Sequence, residues 1–235
     1  MLGIKIGEKH TYKDWGLKWL TPYKITYPEA KTHVIEIPGA DDVLDLTEAI
    51  NGRVRYGQRQ MEFTFEMDDI DYFDFEERRN EIAMYLHGKK HPVTLDTDPL
   101  YYYNARLALD YDKDEKTGST LKITGVASPY KYNQFSSGDE WLWDPFNFDT
   151  DTVYQSTAIA VNGHRTVPLP PTAIPVSPTF TSTESCAVTF NEQTDTIPGG
   201  SIEYISPYVE LGNTRNILEF SGNTVISILY RGGAL

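Results

Sequence analysis

The sequence predicts a mainly β protein of two domains: an N-terminal β-sandwich-like domain with one α-helix, then a C-terminal β-sandwich. Three observations carry that expectation. Met61, Phe63, Phe65 and Met67 alternate with Gln60, Glu62, Thr64 and Glu66, the period of a half-buried strand. One stretch, DFEERRNEIAMYLHG at residues 74–88, takes a helical period instead. Beyond about residue 150, Thr, Ser, Pro and Val become frequent, and turn signals recur at Asn162-Gly163, Pro198-Gly199-Gly200, Gly212-Asn213 and Gly222-Asn223. Short runs such as AIAV, CAVTF, ILEF and VISILY lie between them, a spacing suited to an all-β sandwich or barrel.

In chain order, the opening MLGIKIGEKH sets Leu2, Ile4 and Ile6 against small or polar residues, a strand pattern rather than the charged head and apolar run of a leader. RVRYGQRQ, with Val54 and Tyr56 turning through Gly57, is expected to pair with the strand after it, giving a hairpin over residues 52–67. In the helix, Asp74 is the expected N-cap with Glu77 three residues on, Phe75, Ile82 and Leu86 form the apolar stripe, and Gly88 ends it. Lys89, Lys90 and Pro92 keep the helix from continuing. YYYNARLALDYD and LKITGVAS, joined by the charged turn KDEKTGST, predict a second hairpin. The expected division is residues 1–133 for the first domain, 134–150 for a linker without sustained period, and 151–235 for the second.

Charge narrows the function. With 34 acidic against 21 basic residues the net charge is -13, and no stretch clusters Lys and Arg. Such a chain does not hold phosphate backbones, and no sequence-specific nucleic acid is expected as a partner. Apolar runs fall far short of the roughly 20 residues needed to cross a bilayer, so no membrane insertion is expected. The single cysteine, Cys186, leaves no internal disulfide, which suits folding in a reducing cytoplasm.

Motifs for chemistry are sparse. The sequence holds no glycine-rich phosphate loop, Cys-x-x-Cys, His-Glu-x-x-His or Gly-x-Ser-x-Gly, so no catalytic residue, cofactor or metal is expected. His87 and His91 stand four apart, but Gly88 and Pro92 break the shared helix face a metal would need. Asp68, Asp69, Asp71, Asp74, Glu76 and Glu77 could pair as glycosidase carboxylates; their plainer account is negative charge at a helix start. In DEWLWDPFNF, the rings of Trp141, Trp143 and Phe146 offer either a sugar-binding surface or aromatics that pin two domains together, the second being the plainer.

Several stretches together resemble the distal tail proteins (Dit) of long-tailed phages that infect Gram-positive bacteria. They are HTYKDWGL (10–17), IPGADDVLDLTEAINGRVRYGQRQMEFTF (37–65), YLHGKKHPVTLDTDPLYYYNARL (85–107), GSTLKITGVASPYKY (118–132), AVNGHRTVPLP (160–170), PVSPTF (175–180) and LYRGGAL (229–235). The resemblance implies a structural baseplate-hub protein. Its N-terminal domain would form a homo-hexameric ring, single or doubled as two stacked rings, and its C-terminal domain would be a galectin-like β-sandwich. The implied partners are the tail-tube protein, a tail-associated lysin or tail-spike hub, and a receptor-binding protein, with DNA passing through the ring. The implied place is the distal end of the virion tail, after assembly in the host cytoplasm. A carbohydrate-binding adhesin recognising host cell-wall polysaccharide is the alternative.

Under the ring reading, Trp15, Leu17, Trp19, Tyr102 and Arg106 stand as oligomer or partner contacts. Within DPLYYYNARL, alternation puts Tyr101 and Tyr103 on a face with Ala105, Leu107, Leu109 and Tyr111, expected to be core. Tyr102 falls opposite with Asn104 and Arg106, where a tyrosine suits a contact between chains.

Overall fold

A computed structural model of the chain describes residues 2–49, 52–67, 72–114, 118–139 and 156–235. It is mainly β, with one helix among the described residues, and forms two compact units: Met1–Lys131 with Leu235, and Tyr132–Ala234.

In the first unit, β1 (Ile4–Ile6), β2 (Lys9–His10), β3 (Lys18–Ile25), β6 (Arg59–Met67), β7 (Lys90–Leu95), β8 (Asp98–Asp114) and β9 (Gly118–Ala127) form an antiparallel sheet, ordered β2-β1-β7-β8-β9-β6-β3. A separate ribbon pairs β4 (Val34–Glu36) with β5 (Val43–Asp45). Alternation along β6 is as expected: Met61, Phe63, Phe65 and Met67 are buried. They meet Leu107, Leu121, Ile123 and Ala127 in one core. The β8–β9 hairpin also forms, with Leu109 opposite Ile123 and the ladder reaching Asp114 opposite Gly118.

Helix α1 (Tyr72–Leu86) presses Phe75, Ile82 and Leu86 into that core. It begins two residues before the expected N-cap, so Asp74 lies in its first turn, where its charge still opposes the exposed N–H groups of the helix start. Gly88 takes a left-handed φ of 73° and ends the helix, the conformation glycine adopts without steric cost. Its N–H turns to the Leu107 carbonyl at 2.7 Å.

The expected hairpin over residues 52–67 does not form. β6 has both edges taken by distant strands, β9 on one side and β3 on the other. The segment before it pairs elsewhere: Lys31 N–H donates to the Arg55 carbonyl and Gly57 N–H to the Glu29 carbonyl, each at 2.7 Å. Tyr111 is a second correction. It is 46% exposed: its ring lies 4.3 Å beneath the Arg79 guanidinium of α1, while Leu121, its cross-strand partner, is the residue buried there.

In the second unit, β16 (Asn216–Leu229) is the spine. It pairs along its length with β11 (Ile159–Leu169), and on its other edge with β13 (Cys186–Phe190) and β12 (Thr179–Ser182). β14 (Gln193–Ile197) and β15 (Tyr204–Ile205) complete the order β14-β13-β16-β12-β15. Phe180, Val188, Leu218, Phe220, Ile226 and Ile228 form its core. Short strands β10 (Lys131–Asn133) and β17 (Gly233–Ala234) complete the elements of the described residues. Two expected turns are absent. Asn162-Gly163 and Gly222-Asn223 sit inside the long strands and face each other across the ladder, Asn162 opposite Asn223 and Gly163 opposite Gly222. A Cβ at Gly222 would lie 3.0 Å from Cys186 Cβ, so this glycine serves a close approach rather than a reversal.

The segment His10–Leu17 folds back onto the first core. Thr11 Oγ1 accepts from Ile4 N–H at 2.9 Å, Leu17 N–H donates to the Thr11 carbonyl at 2.9 Å, and Arg78 Nη1 donates to the Trp15 carbonyl at 3.0 Å. Leu17→Ala is expected to cost about 2–5 kcal/mol of folding stability, measured by urea unfolding; a change within about 0.5 kcal/mol, the range of a surface substitution, would contradict this placement.

Candidate assembly surface

The two faces of β8 have different work. On the core face, Tyr103 and Ala105 are buried and Leu109 is partly so. Tyr101 lies 4.2 Å beneath the Lys131 ammonium, which in turn pairs with Asp98 at 2.7 Å. The Arg59 guanidinium sits 5.2 Å over the Tyr103 ring and donates to the Pro129 carbonyl from Nε (3.0 Å) and Nη2 (2.5 Å). Burial pushes the Tyr103 phenol up and pulls the Arg59 guanidinium down from their ordinary values. Both rings on this face are thus engaged by the unit's own structure, while Tyr102, half-buried, faces the other way.

The opposite face of the sheet carries a shallow groove of about 480 Å³. Strand register explains it. Arg106, Val126 and Gln60 form one cross-strand row; Ala108, Thr124, Glu62 and Lys24 form the next, across β8, β9, β6 and β3. Ala108 and Thr124 are short, so the floor drops between the longer side chains around them. Arg106 is held at the rim by Nη1 donating to the Gly88 carbonyl at 2.6 Å. Glu62 is paired with Lys122 at 2.7 Å, leaving Lys24 and Arg106 to set the sign of the groove.

Of the five expected contact residues, the structure moves two inward. Trp15 and Leu17 are 1% and 0% exposed, and a side chain already covered by its own chain has no surface to offer another; both belong to the core. Trp19 is partly buried against Tyr23 and Phe63 at 4.9 and 6.2 Å. It lies on β3, the last strand of the sheet order, and its indole N–H has no partner among the described residues. Arg106 is exposed at the groove, and Tyr102 shares its face of β8. Trp141, Trp143 and Phe146, like Asp68, Asp69 and Asp71, lie outside the described residues. Lys24, Gln60, Ala108, Thr124 and Val126 escape the sequence because a groove made by short residues on four strands needs the pairing before it can be seen.

Other polar groups are locally committed. His87 Nδ1 accepts from Leu109 N–H, and His91 Nε2 donates to the Tyr85 carbonyl, each at 3.1 Å; the two rings do not converge. Among the described residues no three His, Cys, Asp or Glu side chains gather as metal ligands. In the second unit Asp195 Oδ2 accepts from Ser206 Oγ (2.6 Å) and Tyr204 Oη (2.8 Å). The Ser206 hydroxyl above all holds its carboxyl below the ordinary value; burial pushes the other way, and Tyr204 and the Thr196 N–H add lesser lowering pulls. It is therefore a fixed acceptor and not a proton donor near neutral pH.

No family model and no curated protein matches the sequence. The fold is nevertheless Dit-like. The chain is similar to the solved structure of SPP1 Dit (gp 19.1), described as a paradigm of the hub adsorption apparatus in phages infecting Gram-positive bacteria. The likeness has a TM-score of 0.55 at 12% identity and covers 98% of this chain and 99% of that one.

Because the folded value of Asp195 lies below its unfolded value, near 3.9, its contribution to stability is present above about pH 4 and is lost as pH falls through the folded value. Asp195→Asn is expected to lower stability at pH 7, with the gap to the parent closing below about pH 4. Urea unfolding across pH checks this; a gap independent of pH would contradict it.

Proposed function

We propose that the chain is a structural hub protein at the distal end of a phage tail. In this reading six copies close a ring through the first unit, as one ring or two stacked. The ring joins the tail tube to a tail-associated lysin or tail-spike hub, and the second unit, a galectin-like domain, faces the receptor-binding apparatus. The role is mechanical, without catalysis or cofactor. The observation that carries the reading is the fold likeness over 98% of the chain, which takes in both units together rather than one common β domain.

Physical features support it. A chain of net charge -13 lets DNA slide past without adhering. A β sheet with free edges offers surfaces that a neighbour can cover, and a ring needs a head-to-tail interface that closes. Assembly in the host cytoplasm needs no disulfide, and Cys186 is a buried free thiol. No described residue favours the adhesin alternative.

Negative-stain microscopy of the purified chain, alone and mixed with a phage tail-tube protein, is expected to show six-fold rings. A chain that stays monomeric in both samples would overturn the reading. Tyr102→Ala is expected to reduce the fraction of chain in rings several-fold while leaving the unfolding midpoint within a few degrees, since tyrosines at protein contacts contribute more to association than to the fold of the free chain. Undiminished ring formation would remove Tyr102 from the contact.

A further inference from the structure

The β4–β5 ribbon is the feature of the first unit that its own fold does not explain. Every residue from Lys31 to Asp45 is exposed. Its hydrogen bonds are internal: Leu46 N–H donates to the His33 carbonyl (2.8 Å), His33 N–H to Thr47 Oγ1 (3.0 Å) and Thr47 N–H to Asp45 Oδ1 (2.8 Å). Five aliphatic side chains, Val34, Ile35, Ile37, Val43 and Leu44, stand 44–50% exposed. Register puts Ile35 opposite Leu44 on one face of the ribbon. A two-stranded ribbon bare on both faces is marginal in water, and a cluster of exposed aliphatics marks a contact surface.

Charge identifies what covers it. Residues 34–49 contain Glu36, Asp41, Asp42, Asp45 and Glu48 and no Lys or Arg, so the arm is apolar and uniformly acidic. The groove on the sheet is its complement. Val126, 44% exposed, lies beside the short Ala108 and Thr124, Lys24 and Arg106 supply positive charge, and Glu62 is neutralised by Lys122. The arm does not cover the groove of its own chain, since both are open.

We propose that the β4–β5 arm of one copy seats in the β8–β9–β6–β3 groove of a second copy, with Ile35 and Leu44 against Val126 and Ala108, and Asp41 and Asp42 toward Lys24 and Arg106. Arm and groove are different surfaces of one chain, so the contact is head to tail and adds copies in one direction until rotation closes a ring. The inference rests on the ring reading above and names the surfaces that make the ring.

The test is charge reversal in the full chain, read by sedimentation velocity over a range of concentrations. Asp41→Lys/Asp42→Lys and Lys24→Glu/Arg106→Glu are each expected to weaken self-association about tenfold or more, and combining them to restore most of the loss, as oppositely charged sites do when both are exchanged. Lys24→Glu alone, on an exposed side chain, serves if Arg106→Glu disturbs the helix end. Circular dichroism confirms that each variant is folded. Rings that persist undiminished in both single-side variants, or a loss that the combination does not recover, overturn the arm–groove contact and leave the hub reading standing. Parent chain that stays monomeric alone and with the tail-tube protein overturns both.

Discussion

The antiparallel ladder between β8 and β9 fixes the first unit, because in a sheet a shift of one residue exchanges every side chain between faces. With Leu107 opposite Gly125 and Leu109 opposite Ile123, Tyr103, Ala105 and Leu107 point into the core, and Arg106 and Ala108 point out to the groove. Gly125 helps to set this register. A Cβ there would lie 2.8 Å from Leu107 Cδ2 and 3.3 Å from the Arg106 carbonyl, so the Leu107 side chain fills the space that this bare position leaves. Core and groove are thus two consequences of one pairing.

What the sequence disclosed follows the distance over which each interaction acts. The alternation of β6, the helix stripe of Phe75, Ile82 and Leu86, and the β8–β9 hairpin rest on neighbours within a few turns of chain, and all three were legible. The partner of β6 was not, because β3 and β9 lie about 40 and 60 residues away and the hydrophobic period that defines a strand does not say which strand it joins. The same limit explains Trp15 and Leu17. Next to Lys13, Asp14 and Lys18 they look like surface aromatics and aliphatics, and only the fold-back pinned by Thr11 and Arg78 puts them inside. Gly222-Asn223 has turn chemistry, but in β16 the need for space beside Cys186 decides its place.

Acidity would constrain the proposed assembly more by position than by sum. Copies that each carry -13 repel at long range, yet at 0.1 M salt charges more than about 10 Å apart are largely screened. Contacts between copies are therefore governed by the few charges that come within that distance. In the first unit those charges are segregated: the ribbon of residues 34–49 has acids alone, while the exposed cations of the groove, Lys24 and Arg106, sit in rows fixed by strand register.

Segregation of this kind also protects against wrong pairings. An arm that met another arm would bring five acids against five, and a groove that met a groove would oppose Lys24 and Arg106 to their own copies. Both symmetric contacts are disfavoured, and only the arm-to-groove contact brings opposite signs together. A self-complementary pairing would stop at a dimer, whereas a head-to-tail one continues until it closes. In the proposed hub, the acids that would keep DNA from adhering would thus also favour a ring over a dimer, with the aliphatic side chains of the arm supplying the burial that charges near a wet surface do not.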